Sequence, residues 1–245
     1  MNAAVADPAA TVLLLRDGAR GVEVYLQRRQ RRLGFAGGLW AYPGGRVDDA
    51  DRDPAIDAHW AGPPPHAWAR RLDTDVDSAR GYVVAACRET LEEAGVLLAR
   101  PASAHRDVAA ARRDLLAGTR DLAQTLADLE VSIDTALLRY WAWWVTPAAE
   151  PRRFDTRFFV ARPPAHAVVT PHAGEVVEHM WAGAPVPGAM LPPTRHTLRE
   201  VVAHATAAAV METGTDRPVD RVLPVIDGPE IVLPWGERLR RPGAV

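Results

Sequence analysis

The 245-residue sequence predicts an α/β fold, and three observations carry that expectation. Short apolar, strand-like runs recur, at Thr11–Leu15, Val22–Leu26 and Trp141–Val145. Elsewhere the apolar period changes: Tyr82, Ala85, Ala86, Thr90 and Leu91 repeat at helical spacing. Apolar residues make up 48% of the chain, enough for a full core at this length. No repeat and no long linker divides the chain, so we expect one domain over residues 1–245.

The first two runs, around a turn at Arg16–Gly21 rich in Asp and Gly, predict a β-hairpin. Arg28-Arg29-Gln30-Arg31-Arg32 and a Gly-rich stretch follow, leading to Tyr42-Pro43-Gly44-Gly45. Asp48–Asp77 is acidic and Pro-rich and reads as a long loop. The helical pattern runs from Ser78 to a stop at Gly95. Ser103–Leu138, rich in Ala, Leu, Arg and Asp, predicts two or three short helices. Strands are expected at Tyr140–Val145, Thr156–Ala161 and Val176–Trp181. One helix is expected from Pro193-Thr194 to about Met211, and short strands at Arg221–Ile226 and Glu230–Leu233.

Composition removes several chemistries. All 29 side chains counted as Lys+Arg are Arg, so there is no Schiff-base lysine and no phosphate loop of the Gly-Lys-Ser/Thr kind. The commonplace source of such a bias is GC-rich codon usage. A single cysteine, Cys87, excludes an internal disulfide and a zinc site made of cysteine pairs. A net charge of −2 gives no reason to expect nucleic acid as a partner. No apolar run approaches a membrane span, and neither end reads as a targeting or lipidation signal, so we expect a cytoplasmic protein.

The segment richest in chemistry is Arg88-Glu89-Thr90-Leu91-Glu92-Glu93-Ala94-Gly95-Val96. Glu89, Glu92 and Glu93 stand at i, i+3 and i+4, on one helix face. Like charges at that spacing repel unless a cation joins them. Three carboxylates suit a hard divalent ion such as Mg²⁺ or Mn²⁺; a solvated acidic face is the plain alternative.

With the Pro-Gly-Gly turn before it, this segment resembles the Nudix box. Gly45 matches the box glycine, and Asp51 falls where the box has its first Glu. Arg88 then lies 37 positions beyond Asp51 instead of eight, so about 29 residues are inserted, roughly 52–80. Asp for Glu at 51 and Thr90 for an aliphatic residue are further departures, and they leave the role of Asp51 open. A subgroup similar to the mammalian peroxisomal coenzyme A diphosphatase carries an insertion here. Leu26-Gln27-Arg28-Arg29, Trp144-Val145-Thr146-Pro147, Arg153–Phe159 and Leu191-Pro192-Pro193-Thr194 are similar to it as well.

The resemblance implies a Nudix α/β/α sandwich with a mixed sheet, enlarged by loop and helical insertions, the second at about 103–138. It implies Glu92 and Glu93 as Mg²⁺ ligands and Glu89 as a further ligand or the proton acceptor. The Gly45 carbonyl is an additional candidate ligand, and Arg88 positions Glu89 through an ion pair. A further acid often enters from a later loop: Glu175 first, then Glu178, each set against a solvated acid. Arg28, Arg29, Arg31 and Arg32 are candidate substrate-phosphate clamps or a solvated basic turn. Trp40, Tyr42, Trp68 and Phe154 read as core or as base-stacking aromatics. His59, His66, His172 and His179 have no metal-ligand spacing and read as structural or surface residues, and Cys87 as a packing thiol.

The activity so implied is Mg²⁺-dependent hydrolysis of a phosphoanhydride in a nucleoside diphosphate-linked compound. Coenzyme A or an acyl-CoA is the favoured substrate. The alternatives are an ADP-ribose/NADH-type pyrophosphatase and a non-catalytic nucleotide sensor. The expected partner is a small nucleotide-type molecule, with neither nucleic acid nor membrane, and a homodimer is left open.

Overall fold

The computed structural model describes residues 4–31, 37–101, 107–165 and 167–240. In chain order come β1 (Asp7–Gly18), β2 (Gly21–Arg29), β3 (Trp40–Ala41), β4 (Gly44–Arg46), β5 (Trp60–Ala61), α1 (Pro65–Leu72) and α2 (Val76–Ala94). Then follow β6 (Ala99–Arg100), α3 (Val108–Leu116), α4 (Leu122–Asp128), β7 (Ser132–Asp134), β8 (Leu138–Val145), β9 (Phe154–Ala161) and β10 (Val176–Ala182). The chain closes with α5 (Pro192–Val202), α6 (Ala207–Asp216), β11 (Arg221–Val222), β12 (Val225–Asp227), β13 (Glu230–Val232) and β14 (Arg238–Arg240).

The main sheet runs β10-β2-β1-β9-β8-β11, with β3 on β2 and β4 on β1. It is mixed: β1 and β9 are parallel, whereas β1–β2, β8–β9 and β10–β2 are antiparallel. The period-2 alternation of β1 separates two cores. Val12 and Leu14 face α2, packing with Val83, Ala86 and Leu91; Leu13 and Leu15 face α5 and α6, packing with Leu198, Val201 and Val210. The sheet therefore lies between two helical layers, the expected α/β/α sandwich.

Four sequence expectations are revised. The hairpin turn is only Ala19-Arg20, since Gly18 still pairs with Gly21 and Arg16 with Glu23; an Arg16–Glu23 ion pair of 2.6 Å carries the ladder into polar residues. Asp48–Asp77 is not a loop. It holds two 3₁₀ turns (Asp49–Arg52 and Pro54–His59), β5 and α1. The proline at 65 opens a helix, a position where no backbone N–H is needed. The expected Pro193–Met211 helix is two helices, because Thr206 caps a new N-terminus: its hydroxyl accepts from Ala209 N, and Asp17 accepts from Ala207 N. The helical insertion also contains a strand, β7, which pairs with β5 and β6 and so ties the two insertions together.

Candidate active site

The site is built on α2. The Asp75 side chain caps its N-terminus by accepting from Ser78 N, and Gly95 ends it in the left-handed conformation at φ 69°. A side chain at 95 would also run into Thr170.

Arg88 is the hub. Its Nε and one Nη grip Asp51 at 2.9 Å each, bidentate; that Nη also meets the Arg46 carbonyl at 2.9 Å. The other Nη donates to Glu89 at 2.9 Å and Glu92 at 3.1 Å. Asp51 is only 2% exposed, so it meets Arg88 in the interior although 37 residues separate them. The intervening chain, which includes β5 and α1, leaves that contact intact. Burial opposes the Arg88 charge, but Asp51, Glu89 and Glu92 outweigh it and hold the guanidinium above its ordinary range.

Glu93 turns towards β2 and β4. It accepts from the Gln27 amide, from Gly44 N at 3.0 Å and from Arg29 at 3.3 Å. Arg29 in turn reaches Glu175 at 3.4 Å, so the later-loop acid stands beside the box helix. Glu178 instead pairs with Arg28 at 2.7 Å. The alternation along β2 explains the split of the arginine run: Tyr25, Gln27 and Arg29 share the face towards α2, and Arg28 lies on the other, over Trp40. Arg31 is exposed, and Arg32 lies outside the described residues.

Glu89 and Glu93 are almost completely buried. Burial, opposed by Arg88 and reinforced by Glu93 and Glu92, pushes Glu89 up to about 8. Burial and Glu175 push Glu93 up to about 7 against the pull of Arg29, Gly44 N–H and Gln27. Burial raises Glu92 as well, with Arg88 opposing. Arg88 faces Asp48, Asp51, Glu89 and Glu92, and Arg29 faces Glu93 and Glu175, so acids outnumber the cations paired with them. Arg112 is nearby, but its hydrogen bonds go to backbone carbonyls and Thr170.

These residues fit a hard divalent cation. The donors are carboxylate oxygens, and burial makes their charges costly without a counter-ion. Gly45 lies so close to the Glu89 carboxylate that any side chain there would collide with it, which leaves room for main chain only. Gln27 Oε1 is buried beside Glu93 without a partner among the described residues. Among the described residues no three His, Cys, Asp or Glu are already gathered as a cage. Glu89 and Glu92 are turned onto Arg88, and Glu93 onto Gln27, Gly44 and Arg29.

The sequence reading missed Gln27 and Arg112. For Gln27 the available signal was its place in Leu26-Gln27-Arg28-Arg29, on the face of β2 shared with Tyr25 and Arg29. Arg112 left none: it sits in an Ala/Arg-rich helix, and its Nε and one Nη meet the Glu92 carbonyl at 2.9 and 2.6 Å while the other Nη meets the Thr170 carbonyl at 2.9 Å.

Fold and carboxylate helix together define the class, that of the Nudix hydrolases. A family model described as the NUDT19 Nudix domain matches residues 62–187. The chain belongs to that family. It is 30% identical over 202 residues to the human acyl-coenzyme A diphosphatase NUDT19, which covers 67% of this chain and 54% of the human protein. The chain therefore spans about half the length of that curated relative. The crystal structure of a Nudix hydrolase from Alicyclobacillus acidocaldarius is similar at 28% identity and TM-score 0.72, covering 87% of this chain and 99% of that one.

Proposed function

We propose that the chain is a divalent-metal-dependent pyrophosphohydrolase acting on nucleoside diphosphate-linked compounds, with coenzyme A or an acyl-CoA as favoured substrate. The excess of buried carboxylate over guanidinium around α2 carries the reaction class. The likeness to the human acyl-coenzyme A diphosphatase supports the substrate.

Glu92 and Glu93 would hold Mg²⁺ or Mn²⁺ together with the Gly45 carbonyl, and Glu89 is a further ligand or the proton acceptor. The metal, when bound, polarises phosphoryl oxygens and acidifies water. Arg88 fixes the rotamers of Glu89 and Glu92 while its other edge is locked by Asp51. Gln27 and Gly44 N–H fix Glu93. Arg29 joins Glu93 and Glu175, and its nearness to the box helix supports it as the arginine of the run that would meet a substrate phosphate. Water adds across the P–O–P bridge; one P–O bond forms, one breaks, and two phosphate monoesters leave with no redox change.

The test is a panel of CoA, an acyl-CoA, ADP-ribose, NADH and dNTPs assayed with Mg²⁺ and with EDTA. Hydrolysis of the CoA compounds that stops in EDTA is expected. Glu93→Gln should lower kcat by roughly 10²–10⁴-fold, as losses of such groups do. Preference for ADP-ribose or NADH would replace the CoA reading, and inactivity on every member would remove the enzyme reading.

A further inference from the structure

A cleft of about 630 Å³ opens at the C-terminal end of α2, between α3 and the segment Ala167–Ala173. It begins at Gly95, two residues beyond Glu93, or about 3 Å along the helix axis. One wall is shared with the site: His172 N–H donates to the Glu93 carbonyl at 3.0 Å and Thr170 N–H to the Ala94 carbonyl at 2.8 Å. Arg112, on the facing helix, closes onto the same helix end through the Glu92 carbonyl.

The lining is largely aliphatic, including Leu97, Val108, Leu116 and Val168. His172 is its sole aromatic ring among the described residues, so it offers little for a nucleobase to stack on. Leu116 is 40% and Val168 74% exposed, one on each wall. Exposed apolar residues facing each other across a cleft of this size mark a binding surface for a small molecule. Arg112, Arg113, Thr170 and His172 are the polar side chains of the lining among the described residues, and the aliphatic remainder suits a flexible aliphatic chain.

We propose that this cleft is the subsite for the non-nucleotide arm of the substrate and that it grips the arm's aliphatic portion. The subsite rests on the pyrophosphohydrolase reading above and deepens it. With the anhydride at the glutamates, the arm on the far side from the nucleoside passes over Thr170–Ala173 and lies between α3 and Val168. The enzyme then discriminates among acyl thioesters by chain length.

The experiment compares kcat/KM for acetyl-CoA and decanoyl-CoA in the native chain and in a Leu116→Glu/Val168→Glu double variant. Both positions are exposed, so the core is untouched, and a melting curve checks the fold. Burying only two of the extra methylenes is worth about tenfold, so the native ratio should favour decanoyl-CoA by about tenfold or more. In the double variant the ratio should fall towards one. A native ratio near one, or a ratio the double variant leaves unchanged, overturns the subsite while hydrolysis itself stands. No hydrolysis of either thioester overturns the reading beneath it instead. A native dimer in light scattering that the double variant converts to monomer gives the cleft to a second copy of the chain and also overturns the subsite.

Discussion

Arg88 and Asp51 show how a single buried pair keeps a divided motif together. The guanidinium uses both edges, one on Asp51 and one on Glu89 and Glu92, which a lysine's point charge cannot copy. Breaking such a pair strands a buried charge, at a cost of about 3–5 kcal/mol. Arg88→Gln is therefore expected to lower Tm by roughly 10 °C in a chain of this size and to reduce kcat more than KM is raised. An unchanged melting curve would show that Asp51 needs no partner. Cys87 is the contrasting residue: fully buried, its thiol is pushed up to about 12 by desolvation, with Asp51 and Asp134 adding to it. A raised thiol yields little thiolate at pH 8, so iodoacetamide should leave it unmodified in the native protein and alkylate it after unfolding. At this scale the sequence was legible where chemistry repeats at helical spacing, as for Arg88, Glu89, Glu92 and Glu93. Asp51 stayed open because no local pattern reports a partner 37 residues away, and Gln27 was read only as part of Leu26-Gln27-Arg28-Arg29 because its partner Glu93 lies 66 residues on.

Among the elements, the segment Thr170–Glu175 depends most on its neighbours. Two of its amides cap the C-terminal carbonyls of α2, Arg112 clamps the same junction from α3, and Glu175 hangs from its end on Arg29. Arg112→Ala removes hydrogen bonds worth about 1.5–3 kcal/mol each when one partner is charged. The expected result is faster amide exchange at Thr170 and His172 and a several-fold lower kcat, partly restored by Arg112→Lys. If exchange stays slow there, the clamp does not order the segment. Helices and strands with clean periods, α2, β8, β9 and β10, were legible within about two residues. The miscounted elements follow two physical causes. The prolines of 63–65 mark a helix start as readily as a loop, and the α5–α6 break turns on a Thr206 cap and an Asp17 bond from the far end of the chain.

At the scale of the whole molecule, β5, β7 and β6 form a second, three-stranded sheet that joins residues 60–61 to 132–134. Residues 60 and 133 cannot announce that partnership in sequence, whereas the α/β/α layering follows from alternation in β1 and is visible early. The core beneath α2 keeps Glu89 and Glu93 out of water and makes their ionised forms costly, a cost that a bound divalent cation would relieve. Anything that binds only the folded state stabilises it by mass action, about 2.7 kcal/mol at a hundred times Kd. For a chain of this size that is a rise in Tm of roughly 5–10 °C on adding saturating Mg²⁺. Glu93→Gln removes one charge from the cluster and should lose more than half of that rise, while NaCl at equal ionic strength should produce none of it. The melt needs no substrate, so it examines the metal site apart from turnover. An equal Mg²⁺ shift in the native chain and Glu93→Gln would take Glu93 out of the ligand set, and no shift in either would leave the carboxylates as an acidic cluster held by Arg88 and Arg29 alone.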